Sequence, residues 1–412
     1  MPGLMPALRV LRRARLPDGS LVDVELDGDT VAAVTPAAPI TRPLADDELD
    51  LSGFLLFTAP AEPHAHLDKA RSWDAAKPPF GDLVRAVESW RAFSDAESED
   101  SIYERALAQA TAMVQAGTTA IRSHVDLLGE DDPLRGVRAL LRVREQLATV
   151  LDLQLVALGG EWTPDEVFEA ALDAGVDIMG GCPHLADDPM AELHRNVSVA
   201  DRKAVPIDLH TDESLHGPLT IREYARLVSG RAQPAAAGHC VRLGTLGAEE
   251  LAEVIAEVAA ADLGIISLPI TNLYLQGWEH PVSTPRGLTT LRALLDAGVR
   301  VAAGADNVRD PFNPVGRGDA LETASLLVTA GHLDLFESLT AVTDGARSVM
   351  SLPPAGPTPG ARAELLAVRA TSIGDAIATG SMDRYVIHHG RLIAHSHVVQ
   401  ELALPDTATV AG

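Results

Sequence analysis

The chain has 412 residues, 46% of them apolar and 22% charged, with a formal charge of −25, the make-up of a folded globular protein with a large core. That charge excludes a sequence-independent grip on DNA or RNA, which needs clustered Lys and Arg, though it leaves a neutral nucleobase open as ligand. Cys182 and Cys240 cannot build a disulfide framework and are expected as buried small residues in a reducing cytoplasm. Four arginines break the stretch Ala7–Leu16 against reading it as a signal peptide, and no run of about 18 apolar residues is present to span a bilayer.

Leu8–Ala14, Leu21–Leu26 and Thr30–Val34 read as short strands around the turns Pro17-Asp18-Gly19 and Asp27-Gly28-Asp29. Short apolar runs then alternate with longer helical patterns. The predicted strands are Phe54–Thr58, Thr118–Ser123, Leu153–Leu158, Val176–Met179, Pro206–Leu209, Ala235–Gly238, Gly264–Leu268 and Val299–Ala303. Helices are predicted between them, among them Glu99–Ala116, Leu134–Leu147, Ala248–Ala261 and Thr289–Ala297. Eight buried strands alternating with helices imply parallel pairing, and a closed (β/α)8 TIM barrel is the natural α/β arrangement of eight. An open doubly wound sheet is the alternative, but no glycine-rich phosphate loop follows an early strand. Glu364–Arg369, Tyr385–His388 and Arg391–Ala394 read as strands again, with His388-His389 in a surface turn before Gly390. The two outer clusters, each too small to fold alone, predict one small β-sandwich. It would be assembled from residues 1–53 and 360–412 around a barrel of residues 54–359, with Pro405–Gly412 as a loose tail.

The chemistry-bearing residues gather at predicted strand ends. His64 and His66 lie in Glu62-Pro63-His64-Ala65-His66-Leu67-Asp68, and side chains two apart on a strand share a face. His210 follows the fifth predicted strand with Glu213 three residues on, His239 follows the sixth, and Asp306 follows the eighth across Gly304-Ala305. The spacings 146, 29 and 67 from His64 through His210 and His239 to Asp306 correspond to four, one and two βα units of about 30–36 residues each. Barrel enzymes keep their active sites at that end of the strands. Three imidazoles and a carboxylate suit Zn²⁺ or Fe²⁺. A bridging lysine at a strand end would imply two metals. Lys69, Lys77 and Lys203 are the only lysines and none is so placed, so one divalent ion per chain is expected.

These segments, with Ser123-His124-Val125-Asp126, His210-Thr211-Asp212-Glu213, Gly238-His239, Asn272–Gly277, Pro314-Val315-Gly316 and Asp306-Asn307-Val308-Arg309-Asp310-Pro311, resemble bacterial cytosine deaminases of the amidohydrolase superfamily. They resemble the triazine-degrading relatives too, including N-isopropylammelide isopropyl amidohydrolase. The resemblance implies hydrolytic deamination of an amino-substituted N-heterocycle. It implies His64, His66, His210 and Asp306 as metal ligands, Glu213 as proton shuttle and His239 as the base that orients the water. Glu213 would protonate the ring if its acid form were stabilised in a closed pocket.

The resemblance breaks where specificity is set. Gly160 stands where cytosine deaminases have a glutamine, Asn307 in place of a second aspartate, and Phe312 in place of a covering tryptophan. The expectation is a void at Gly160 and a larger heterocycle than cytosine. His124 is a candidate pocket residue, with a structural role as its competing reading. His184 is read as touching substrate or as a solvated loop residue, and Trp162 and Tyr274 as pocket wall or core. Hydrolysis of an alkylamino or cyclic amide bond on a triazine-like ring is the alternative activity, and a non-catalytic barrel scaffold the alternative class. The expected partner is a small heterocyclic molecule, with no nucleic acid and no membrane, and a homo-oligomer is compatible with this reading.

Overall fold

The computed structural model describes residues 7–129, 131–399 and 401–402; the predicted tail Pro405–Gly412 lies outside them. Its strands form two sheets of eight. In chain order they are β1 (Val10–Arg15), β2 (Leu21–Asp27), β3 (Thr30–Pro36), β4 (Glu48–Asp50), β5 (Phe54–Thr58), β6 (Ala61–Ala65), β7 (Ala120–Asp126) and β8 (Asp152–Leu158). There follow β9 (Ile178–Gly181), β10 (Ile207–Thr211), β11 (Ala235–His239), β12 (Gly264–Ser267), β13 (Val301–Ala303), β14 (Leu365–Arg369), β15 (Arg384–His388) and β16 (Arg391–Ser396).

Strands β6 to β13 pair in parallel and in sequence, the eight-stranded barrel. Beyond β13 the Asp306 amide donates to the His64 carbonyl at 3.0 Å, drawing the last strand against the first. Period-two alternation explains which side chains look inward. Along β10, Ile207 and Leu209 join the core under the helices, while Asp208 and His210 take the opposite face. The barrel floor is a small-residue layer of Ala61, Ala120, Ala236, Ile266 and Ala302, covered by Ala346, Val349 and Met350. The other mouth is left for chemistry.

The second sheet runs β16-β15-β14-β5-β1-β2-β3 with β4 beside β1, so strands from both ends of the chain share it. Leu11, Val24, Leu51, Leu56, Leu365 and Ile387 form its own core. Phe54–Thr58, expected to open the barrel, is β5 of this sheet and is hydrogen-bonded to β14 and β1. Leu55 and Phe57 face the core shared with the barrel helices, and Phe54 and Leu56 face the terminal core. A strand buried on both faces reads as a continuous apolar run in either sheet. The first barrel strand is instead β6, whose Pro63 and polar neighbours hide it from a hydrophobicity reading. His388 is a correction as well: it is buried, with Nδ1 2.7 Å from Glu364 Oε2, and only His389 reaches the surface. No helix among the described residues is long and apolar enough to cross a membrane.

Candidate active site

At the carboxyl ends of the barrel strands, Nε2 of His210 lies 3.2 Å from Nε2 of His64 and 3.1 Å from Nε2 of His66. Asp306 Oδ1 stands 3.3 Å from His66 Nε2 and 3.8 Å from His64 Nε2. Local backbone makes this convergence. A register shift between Glu62 and Ala65 bulges β6 around Pro63. Gly238 lets the His64 ring lie against β11, since a Cβ there would stand 2.9 Å from that ring. Alternation along β11 would point His239 toward the helices with Ala235 and Ala237. The chain leaves the strand there at φ 68°, and the imidazole lines the cavity.

The donor set fits a divalent ion. Metal–nitrogen bonds of about 2.0–2.1 Å at tetrahedral angles place two nitrogens about 3.3 Å apart, near the separations of His210 Nε2 from the Nε2 atoms of His64 and His66. Burial first, and then neighbouring positive groups, hold His64, His66 and His210 well below their ordinary pKa, leaving neutral rings with lone pairs to share. Burial and then Glu213 push the Asp306 carboxyl well above its ordinary value, and neither of its oxygens accepts a hydrogen bond. A cation held among these atoms would relieve that penalty.

Glu213 and His239 flank the set. Glu213 Oε1 is 3.5 Å from His239 Nδ1, and Oε2 is 3.8 Å from His184 Nε2. Burial pushes the Glu213 carboxyl up, but His239 and His184 outweigh it and the net shift is downward. It is therefore a carboxylate at neutral pH; its acid form is not stabilised beforehand as the sequence reading required. Asp212, accepting from the Thr220 and Ile221 amides and the Thr220 hydroxyl, pins the loop that carries Glu213, and Gln276 Nε2 donates to the Glu213 carbonyl at 2.8 Å.

A cavity opens above these groups, with His66, His210, Glu213, His239 and Asp306 at its base. Asn307 and Phe312 line it. Asn307 is tethered, its Nδ2 donating to Asp310 Oδ2 at 2.9 Å. Two expectations are corrected. Gly160 does not line the cavity and leaves no void: a Cβ on it would stand 2.3 Å from the Trp162 ring, which occupies the space. His124 is fully buried behind His64, ring centroids 4.0 Å apart, and is absent from the lining. His184 is buried too, its Nδ1 3.1 Å from the His210 carbonyl, holding the site from behind. Cys240 is buried as expected, whereas Cys182 is half-buried on the cavity wall.

Several site residues escaped the sequence reading. Lys69, 3% exposed, holds its Nζ 2.9 Å from Asp126 Oδ2 and 3.2 Å from His66 Nδ1, and lines the cavity. Burial opposes its charge, but Asp126 and Asp68 outweigh it and raise its pKa. It follows the histidine motif directly, a signal used only to ask about a bridging lysine. Asn272 sets Nδ2 3.0 Å from His239 Nδ1. Trp90, donating to Asp126 Oδ2 at 2.6 Å, and Arg91 come from the helix Leu83–Ser94, which carries no motif.

The amidohydrolase family pattern matches residues 138–394. A pterin deaminase of Rhizobium rhizogenes is 30% identical over 388 residues, 91% of this chain and 88% of that protein. The chain belongs to the amidohydrolase family. This amidohydrolase is accordingly a hydrolase of carbon–nitrogen bonds. Among solved structures it resembles 5-methylcytosine deaminase of Klebsiella pneumoniae, at 25% identity and a TM-score of 0.86, covering 96% of this chain and 100% of that one. It also resembles N-isopropylammelide isopropylaminohydrolase of Burkholderia multivorans, at 27% identity and a TM-score of 0.78, covering 94% and 98%.

Proposed function

We propose that this amidohydrolase is a mononuclear, metal-dependent hydrolytic deaminase of an amino-substituted N-heterocycle larger than cytosine, with pterin as the substrate to test first. The observation that carries the reading is the meeting of three Nε2 atoms and an unpartnered Asp306 carboxylate beneath an apolar-walled cavity, with Glu213 and His239 beside them. Names of similar proteins agree in class: one is a pterin deaminase, another a 5-methylcytosine deaminase.

His64, His66, His210 and Asp306 would hold one Zn²⁺ or Fe²⁺. When bound, such an ion lowers the pKa of a water from about 16 to about 7 and so supplies a nucleophile at neutral pH. Glu213, a carboxylate in the resting site, takes a proton from the attacking water and delivers it to the ring nitrogen beside the amine-bearing carbon. His239 holds the attacking oxygen toward that carbon, and Asn272 at its far nitrogen fixes the ring. Lys69 keeps a cation at the cavity base, and an N–H not given to Asp126 can meet a ring oxygen. Trp90, Trp162 and Phe312 supply flat apolar walls for a planar ring.

Ammonia release from pterin, cytosine and isoguanine by the Zn²⁺- or Fe²⁺-loaded protein tests this reading. Pterin is expected to exceed cytosine in kcat/KM by at least about tenfold. Cytosine as the best of the three would end the larger-ring reading. Release of isopropylamine from N-isopropylammelide, with no ammonia from any ring, would favour the alkylamino hydrolysis named for the Burkholderia relative.

A further inference from the structure

Most charges around the cavity are already engaged. Of its lining carboxylates, Asp126 is held by Lys69 and Trp90, Glu213 lies between His239 and His184, and Asp306 belongs to the metal set. Of the two lining cations Lys69 is paired, while the exposed Arg91 has no carboxylate partner among the described residues. The Arg91 guanidinium stands 4.1 Å from the centre of the Trp162 ring, which is itself 45% exposed. Trp162 in turn rests on Gly160, where any side chain would collide with it. The Arg91 charge is also felt by the Cys182 thiol on the same wall: burial pushes that thiol up to about 12, and Arg91 opposes the shift.

We infer that Arg91 and Trp162 form an outer subsite for an anionic substituent, a carboxylate in the simplest case, on the ring edge remote from the reacting carbon. A guanidinium lying over an indole keeps its N–H groups in its own plane, so stacking leaves the fork free to grip a carboxylate with two parallel bonds. The chain's charge of −25 disfavours anionic ligands at long range, so one that binds must meet a local cation. An apolar ring edge would leave Arg91 unused; a carboxylate satisfies it. The inference rests on the proposed function for the pterin ring and for which end of the substrate points inward.

The test compares pterin with 6-carboxypterin, using Zn²⁺-loaded wild type, Arg91→Met and Arg91→Lys. The quantity read is the ratio of the two ligands, in kcat/KM and separately in calorimetric Kd. The wild type is expected to favour 6-carboxypterin by about tenfold or more, the size of a charge-assisted hydrogen-bond pair. Arg91→Met should bring both ratios to about one, with Arg91→Lys between, and the change should lie in KM rather than kcat. A wild-type ratio near one, no measurable binding of 6-carboxypterin, or an Arg91→Met ratio equal to the wild type's would overturn the inference. Arg91→Gln replaces Arg91→Met if circular dichroism shows the latter misfolded. If both ligands bind with the expected ratio and neither is deaminated, the proposed function fails and the outer subsite stands.

Discussion

The residues around the proposed metal set divide by what they touch, and substitutions should divide the same way. Glu213 contacts His239 and His184, neither of them in the proposed ligand set, so Glu213→Gln should keep one ion per chain while kcat falls about 10²–10⁴-fold, the usual worth of a general acid–base group. His210→Ala, which removes the nitrogen shared by both close contacts, should lose ion and activity together. Metal analysis beside the rate separates the cases; an ion lost from Glu213→Gln would mean the roles are misassigned. Gly160 gives a second prediction. Its missing Cβ is what seats Trp162, so Gly160→Ala should push the indole off the wall, raise KM by about tenfold and shift tryptophan fluorescence. An unchanged KM and spectrum would remove Trp162 from the binding wall. The convergence of His64, His66, His210 and Asp306 was readable because a barrel repeats its units at near-even spacing. Arg91, Trp90 and Lys69 were not, because loop and helix positions carry no such period and meet the site only through tertiary folding.

Fully buried strands were legible as short apolar runs, but the sheet that such a run joins was not. Seven predicted barrel strands lie within a few residues of β7 to β13, while β6 and β5 exchanged roles for the reasons of burial and bulging given above. The terminal strands were readable from their turns, but their electrostatics were not. Glu48, at the start of β4, accepts from Arg42, from Arg12 at 2.7 Å and from the Ala45 amide. These contacts, Arg42 first, bring its carboxyl from an ordinary 4.5 down to about 2. A carboxyl depressed in the folded state adds stability that is complete above its unfolded pKa and is lost as pH falls through the folded value. The gap in urea midpoint between wild type and Glu48→Gln should therefore be widest above pH 5 and close steadily toward pH 2. A gap independent of pH would assign the loss to packing instead of charge.

At the scale of the whole molecule, the site ties the two ends of the barrel sheet together, since Asp306 both closes β13 onto β6 and points its carboxylate at the histidines. Stripping the ion with a chelator should lower Tm by several degrees, because a ligand at about 1,000 times its Kd stabilises the folded state by about 4 kcal/mol. A Tm indifferent to chelation and to Zn²⁺ would show the four side chains bind no ion tightly. The shared terminal sheet bears on how the chain is made. The five-residue pairing of β5 with β14 joins segments about 300 residues apart, and a ribosome adding about 5–20 residues per second takes about 15–60 s to deliver the partner. Throughout that interval Phe54–Thr58 is an apolar strand paired at most with β1, and the edge that β14 will cover stays open, a ready nucleus for aggregation. A nascent chain stalled near Gly360 should therefore need a chaperone to stay in solution, and release of the last fifty residues, more than completion of the barrel, should mark the end of that dependence.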